Sequence, residues 1–251
     1  MKQRLLAWCL CLFSSMTVTP AFAEQALVAV AANFVPPFRE IALEFEKSTG
    51  HQLQVAGGSS GNFYSQIKNG APFDLFLSAD AERPKLLEAE GLGAKESCFT
   101  YAIGRLALWS PNPDFVKGEQ TLRSEHFKHL AIANPKTAPY GVAAIQTMQK
   151  LGVWENVQPR MVVGENLGQT MGFIESGNAQ LGFVALSQVL DPKIKGTGSR
   201  WDVPKHLHDP IKQDAILLTK GNDNAAAKAL MEFLRSLKAQ AIIERYGYEL
   251  K

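Results

Sequence analysis

The stretch LVAVAANFVPPFREIALEFEKSTGHQLQVAGGSSGN, running from Leu27 to Asn62, decides the fold. Leu27–Ala32 is a short apolar, β-rich run. Pro36–Ser48 predicts a helix with Phe38, Ile41, Ala42 and Phe45 on one face. Pro36 and Pro37 are tolerated there because the first turn of a helix has no internal partner for its N–H groups. Thr49-Gly50 stops the helix. Gln52–Ala56 follows as a second strand, and Gly57-Gly58-Ser59-Ser60-Gly61-Asn62 leads into a helix over Phe63–Lys68. Strand, helix, strand and helix on such short connections argue for a parallel sheet covered on both faces.

The same rhythm extends outward. Asp74–Leu77 predicts a third strand and Ala81–Glu90 a third helix, ended by Gly91. Thr100–Trp109 is one long apolar run, broken by Pro111-Asn112-Pro113. A second alternating set comes next: His129–Ala133, a helix over Gly141–Leu151, Arg160–Val163, a helix over Leu167–Ser176, and Leu181–Leu186. Past a region at 191–210 rich in proline and glycine lies the apolar run Asp214–Thr219, then helical patterns over Asn224–Leu237 and Ala239–Tyr246. Two α/β sets joined by two long strands, near 104–110 and 208–216, predict two lobes with a central ligand cleft at the strand carboxyl ends. Lobe I takes 24–105 and 211–251, and lobe II takes 106–210.

The amino terminus reads as an export signal, residues 1–23. Lys2 and Arg4 supply the positive region, Leu5 to Phe13 the apolar region, and Ala21-Phe22-Ala23 a small-x-small cleavage site. An exported, monomeric protein is expected, cut after Ala23. Its loss takes two of the 26 cationic residues and leaves 24 against 24 acidic ones. A neutral chain without a basic stripe gives nucleic acid or an anionic membrane nothing to bind. Cys9 and Cys11 leave with the signal, so Cys98 stands alone and reads as a small, half-buried apolar residue.

Ala31-Ala32-Asn33-Phe34 and Gly57–Asn62 share one property: each carries a strand into a helix through small or polar residues. Such junctions expose free backbone N–H groups at the positive end of a helix dipole, and they hold anions. Tyr140, between Pro139 and Gly141, and Leu167, after Glu165-Asn166, open further helices in the second set. Asn33 could instead cap the helix that follows it, and Tyr140 could be a half-buried core aromatic. Asp74, Ser78 and Asp80 read as capping and turn residues, because a carboxylate would repel an anion. Gly57-Gly58-Ser59-Ser60-Gly61 also fits the G-x-S-x-G elbow of a serine hydrolase, with Ser59 as nucleophile. Its acid and base would be Asp191 or Asp202 with His206 or His208. An elbow normally follows several strands, whereas this one follows the second.

Several blocks resemble the periplasmic molybdate-binding proteins, the substrate-binding components of molybdate ABC transporters. They are Val30-Ala31-Ala32-Asn33-Phe34, Gly58-Ser59-Ser60-Gly61, Gly70-Ala71-Pro72-Phe73-Asp74-Leu75-Phe76-Leu77-Ser78-Ala79-Asp80, Pro139-Tyr140-Gly141, Leu181-Gly182-Phe183-Val184 and Arg245-Tyr246-Gly247-Tyr248. The resemblance implies the two-lobed, class II binding-protein fold, with mixed or parallel sheets and helices on both faces. It implies a molybdate or tungstate ligand held by neutral donors, no cofactor, no enzymatic activity, and a membrane permease as partner. Carried over by position, Asn33 and Ser60 are expected as ligands by side chain and backbone, and Tyr140 and Leu167 by backbone N–H. Many members place a tyrosine where this chain has Ala185 and an alanine where it has Tyr140, so the Tyr140 hydroxyl is expected as a further donor. A tetrahedral sulfate-type receptor is the alternative within binding proteins.

Overall fold

The computed structural model describes residues 23–250. The expected export signal therefore lies outside the described residues, apart from Ala23. The chain begins with β1 (Gln25–Ala31), α1 (Val35–Thr49), β2 (Gln52–Gly58), α2 (Ser60–Lys68), β3 (Leu75–Leu77), α3 (Glu82–Ala89) and β4 (Phe99–Gly104). It continues through β5 (Leu106–Ser110), β6 (Leu130–Ala133), α4 (Pro139–Lys150), α5 (Trp154–Val157), β7 (Met161–Gly164), α6 (Leu167–Glu175), β8 (Leu181–Ala185), α7 (Leu186–Val189) and β9 (Ser199–Asp202). It ends with β10 (Ile211–Leu217), α8 (Ala225–Leu234) and α9 (Leu237–Arg245).

The strands form two sheets, ordered β2-β1-β3-β10-β4 and β7-β6-β8-β5-β9. In each, the strands that feed helices pair in parallel: β1 with β2 and β3, and β6 with β7 and β8. Long-range returns pair antiparallel: β10 lies between β3 and β4, and β5 lies between β8 and β9. Parallel strands carry their following helices over both faces, so their carboxyl ends are open to a ligand.

The long apolar run at 100–109 is not one strand. β4 belongs to the first sheet, β5 to the second, and the chain changes sheets at Arg105. Apolar character persists through the change because both strands are covered, so composition carries no mark of it. The proline- and glycine-rich region contains β9, which pairs with β5 at the edge of the second sheet. β3 is shorter than expected, because the Asp74 carboxylate accepts from the Leu27 N–H at 2.7 Å and ends the ladder there. β10 starts three residues early, at Ile211, and α2 starts at Ser60 rather than Phe63.

α1 buries Phe38, Ile41 and Phe45 as its spacing requires, and Gly50 closes it in the left-handed conformation, φ 77°. With Phe34 these side chains pack against Leu230, Ile243 and Tyr248 in one core of the first lobe. Phe63, Phe73, Phe76 and Leu87 fill the opposite face of the same sheet. The core of the second lobe gathers Leu106, Leu130, Ile132, Tyr140 and Phe183, and reaches across to Ala31 and Ala79 of the first. The two lobes therefore touch through small apolar residues at the floor of the cleft. Among the described residues no helix is long and apolar enough to cross a membrane.

Candidate functional site

A small cavity opens where β1, β2, β6 and β7 end. Twelve residues line it, among them Asn33, Ser59, Ser60, Tyr140, Asn166 and Leu167, and all twelve are uncharged. Its volume is only about 10 Å³, far below the range of roughly 300–1,000 Å³ common for drug-sized ligands. The cavity suits a compact group.

Three helices begin at its wall. Ser59 stays extended while α2 starts at Ser60; Pro139 and Tyr140 open α4; Leu167 opens α6 after Asn166, whose Oδ1 accepts from the Gln169 N–H at 3.1 Å. Proline suits the first position of α4, where an N–H would be unpaired in any case. The backbone N–H groups of Asn33, Ser60, Tyr140 and Leu167 donate to nothing among the described residues. First-turn donors are free in any helix. Here the starts of three helices meet, each worth about half a positive charge. A site can thus be strongly anion-attracting without lysine or arginine.

Two hydroxyls add to the donors. Ser60 Oγ accepts from the Ala79 N–H at 2.8 Å, which leaves its own hydrogen to donate elsewhere. Ser59 Oγ is buried and has no hydrogen-bond partner among the described residues. An unmade bond at a buried polar group costs about 1–3 kcal/mol, so this hydroxyl calls for an acceptor. The sequence placed Ser59 in the anion-holding junction Gly57–Asn62 and, as an alternative, as a nucleophile.

The Asn33 side chain sits elsewhere than expected. Both its amide hydrogens are committed, to Gln213 Oε1 at 2.7 Å and Tyr248 OH at 3.0 Å, so of the Asn33 donors only the backbone N–H is without a partner among the described residues. It does not cap α1; Phe34 holds that position and makes no side-chain cap bond. The Tyr140 hydroxyl accepts from Gln213 Nε2 at 3.1 Å. Burial pushes the Tyr140 phenol well above its ordinary value and Tyr248 up to about 12, so both remain protonated. Ala185 is not a lining residue; its N–H donates to Gln188 Oε1 at 3.0 Å.

Nearby acids are spent on structure. Asp80 pairs with Arg83 and accepts from its backbone N–H at 2.8 Å, and neither Asp74 nor Asp80 lines the cavity. The hydrolase arrangement is not formed. A nucleophile needs a base within hydrogen-bond reach, whereas Ser59 Oγ has no partner, and His208 turns Nδ1 to the Asp209 carbonyl at 2.7 Å. Cys98 is half-buried against Asp214 Oδ2 at 3.6 Å, and burial raises its thiol to about 12.

Two α/β lobes closing on an uncharged, donor-lined cavity define a solute receptor of the periplasmic-binding-protein type. Residues 26–249 match the family described as bacterial extracellular solute-binding protein. The chain is 52% identical to the molybdate-binding protein ModA of Azotobacter vinelandii over 92% of each chain. It is 50% identical to that of Rhodobacter capsulatus over 91% of this chain and 90% of the relative. A solved periplasmic molybdate-binding protein of Azotobacter vinelandii superposes with a TM-score of 0.87 at 39% identity, covering 90% of this chain and 99% of that one. The chain belongs to the molybdate-binding proteins within the bacterial extracellular solute-binding family.

Proposed function

We propose that this protein captures molybdate, and tungstate, in the periplasm and delivers it to the permease of an ABC importer. It acts as a monomeric receptor, not an enzyme, with its export signal removed after Ala23. The observation that carries this reading is a compact cavity ringed by donors with no charged lining residue. The likeness to molybdate-binding relatives supports it.

Molybdate is fully deprotonated at neutral pH and only accepts hydrogen bonds. A pocket of N–H and O–H groups satisfies such an ion, whereas protonated phosphate brings a hydrogen for which the lining offers no carboxylate acceptor. Sulfate has the same charge and shape but is smaller, and donors set about 0.3 Å too far away bond to it poorly. The ligands in this reading are the backbone N–H groups of Asn33, Ser60, Tyr140 and Leu167, with the hydroxyls of Ser60 and Ser59. Donors to a charged group contribute about 1.5–3 kcal/mol each. Six such donors contribute about 9–18 kcal/mol in total, and the upper part of that span supports the roughly 8 kcal/mol of micromolar binding after the costs of ordering.

A thermal-shift panel tests the reading, because a ligand that binds only the folded state raises its melting temperature. Molybdate and tungstate are expected to raise it strongly, and sulfate and phosphate little. Equal shifts with sulfate would make the protein a general oxyanion receptor. No shift with any of the four would remove the oxyanion reading altogether. In calorimetry, Ser60→Ala is expected to weaken molybdate binding by at least ~1 kcal/mol, and Ser59→Ala by a similar amount. Unchanged affinity in either variant would take that hydroxyl out of the site.

A further inference from the structure

Gln213 stands one layer behind the cavity and is fully buried. Its Oε1 accepts from Asn33 Nδ2 at 2.7 Å and from Tyr101 OH at 3.0 Å, both in the first lobe. Its Nε2 donates to the Tyr140 hydroxyl at 3.1 Å, in the second lobe. One amide group thus holds a cavity residue from each lobe. It lies on β10, the strand by which the chain returns to the first sheet.

Gly104 makes the room. It ends β4, paired with Ile211 on β10. A Cβ at Gly104 would stand 2.1 Å from the Tyr140 hydroxyl oxygen and 2.5 Å from Gln213 Nε2. The phenol therefore occupies a notch that any side chain would fill.

We propose that Gln213, seated beside the Gly104 notch, is the positioning residue that couples lobe closure to ion capture. It rests on the function proposed above and adds a residue that does not touch the ion. The chemistry favours an amide: two donors need an acceptor and the phenol needs a donor, and glutamine offers both at this reach. Glutamate keeps the acceptor, loses the donor, and sets a carboxylate behind an anion pocket. The bond to Tyr140 requires both lobes in place, so closing the lobes and aligning Asn33 with Tyr140 become one event.

The test uses calorimetry with sodium molybdate on the full chain. Gln213→Leu and Gln213→Glu are each expected to weaken binding by ~10-fold or more, mainly through faster release. Tyr140→Phe is expected to weaken it less, and adding Gln213→Leu to Tyr140→Phe to give no more than the Gln213→Leu loss, since both remove one interaction. Losses that multiply, or wild-type affinity in Gln213→Leu, would overturn the coupling. Should Gln213→Leu not fold, Gly104→Ala displaces the same phenol from the other side and is expected to reproduce the loss.

A second readout needs no ion. Dyes on cysteines replacing the exposed residues Leu43 and Val163, one in each lobe, report lobe separation by energy transfer in a Cys98→Ser background. Gln213→Leu is expected to lengthen the mean distance in ion-free protein, and identical distances would overturn the proposal. If Gln213→Leu lengthens the distance while the wild type binds no molybdate, the ligand is wrong and the coupling stands.

Discussion

Replacing Gly141 with alanine is expected to destabilise the protein by about 3 kcal/mol, the upper end for overpacking, and to abolish high-affinity anion binding. Gly141 follows Tyr140 in the first turn of α4. A Cβ there would stand 2.1 Å from the Ala133 carbonyl oxygen and 2.9 Å from Pro135 N. Both obstacles are backbone, so no side chain can swing away. Relief requires α4 to back off from the end of β6, which carries the Tyr140 N–H out of the cavity. Urea melts and calorimetry check the two halves separately. A variant with wild-type stability would show that the loop at 134–138 yields, and one with wild-type affinity would show that Tyr140 N–H is not a ligand.

Phe34→Ala is expected to lose about 3–5 kcal/mol of stability, the usual cost of removing a buried aromatic. Its ring is fully buried, with centroids 4.5 Å from Tyr101 and 5.4 Å from Tyr248. Those two tyrosines bond Gln213 and Asn33, and Tyr248 also donates to the Asn33 carbonyl at 2.8 Å. The void left by the ring sits under the polar network behind the cavity. Molybdate affinity should therefore fall by more than tenfold, a factor that needs only about 1.4 kcal/mol. Chemical denaturation measures the first effect. A loss below ~1 kcal/mol would mean that the surrounding rings collapse into the gap.

What could be read from the sequence followed the range of the interactions. Helix starts at Tyr140 and Leu167 were legible because Pro139 and the Asn166 cap act within one turn. The free N–H groups belong to the backbone and follow from the starts alone. The destination of the Asn33 amide was not legible: Gln213 and Tyr248 lie 180 and 215 residues away. Local patterning is silent about partners at such distances. The same holds for Arg105, where the chain leaves one sheet for the other between apolar strands that look continuous. β9 escaped notice because an edge strand of alternating exposure inside a glycine-rich segment carries little hydrophobic signal. The Ser59 hydroxyl was open to two readings, a donor of the anion-holding junction and a nucleophile, since a free buried donor and a nucleophile look alike without their neighbours.

The order of strands in the first sheet sets a timetable. β10 runs between β3 and β4, so the ribosome makes both flanking strands more than a hundred residues before the one that joins them. The second sheet, built from a continuous stretch between β5 and β9, has every strand in hand sooner. Emergence from the amino terminus onward, whether from the ribosome or across the membrane, therefore leaves the first sheet unfinished until the tail arrives. The part made first is completed last, and a chain stalled before residue 211 holds no joining strand and no assembled cleft.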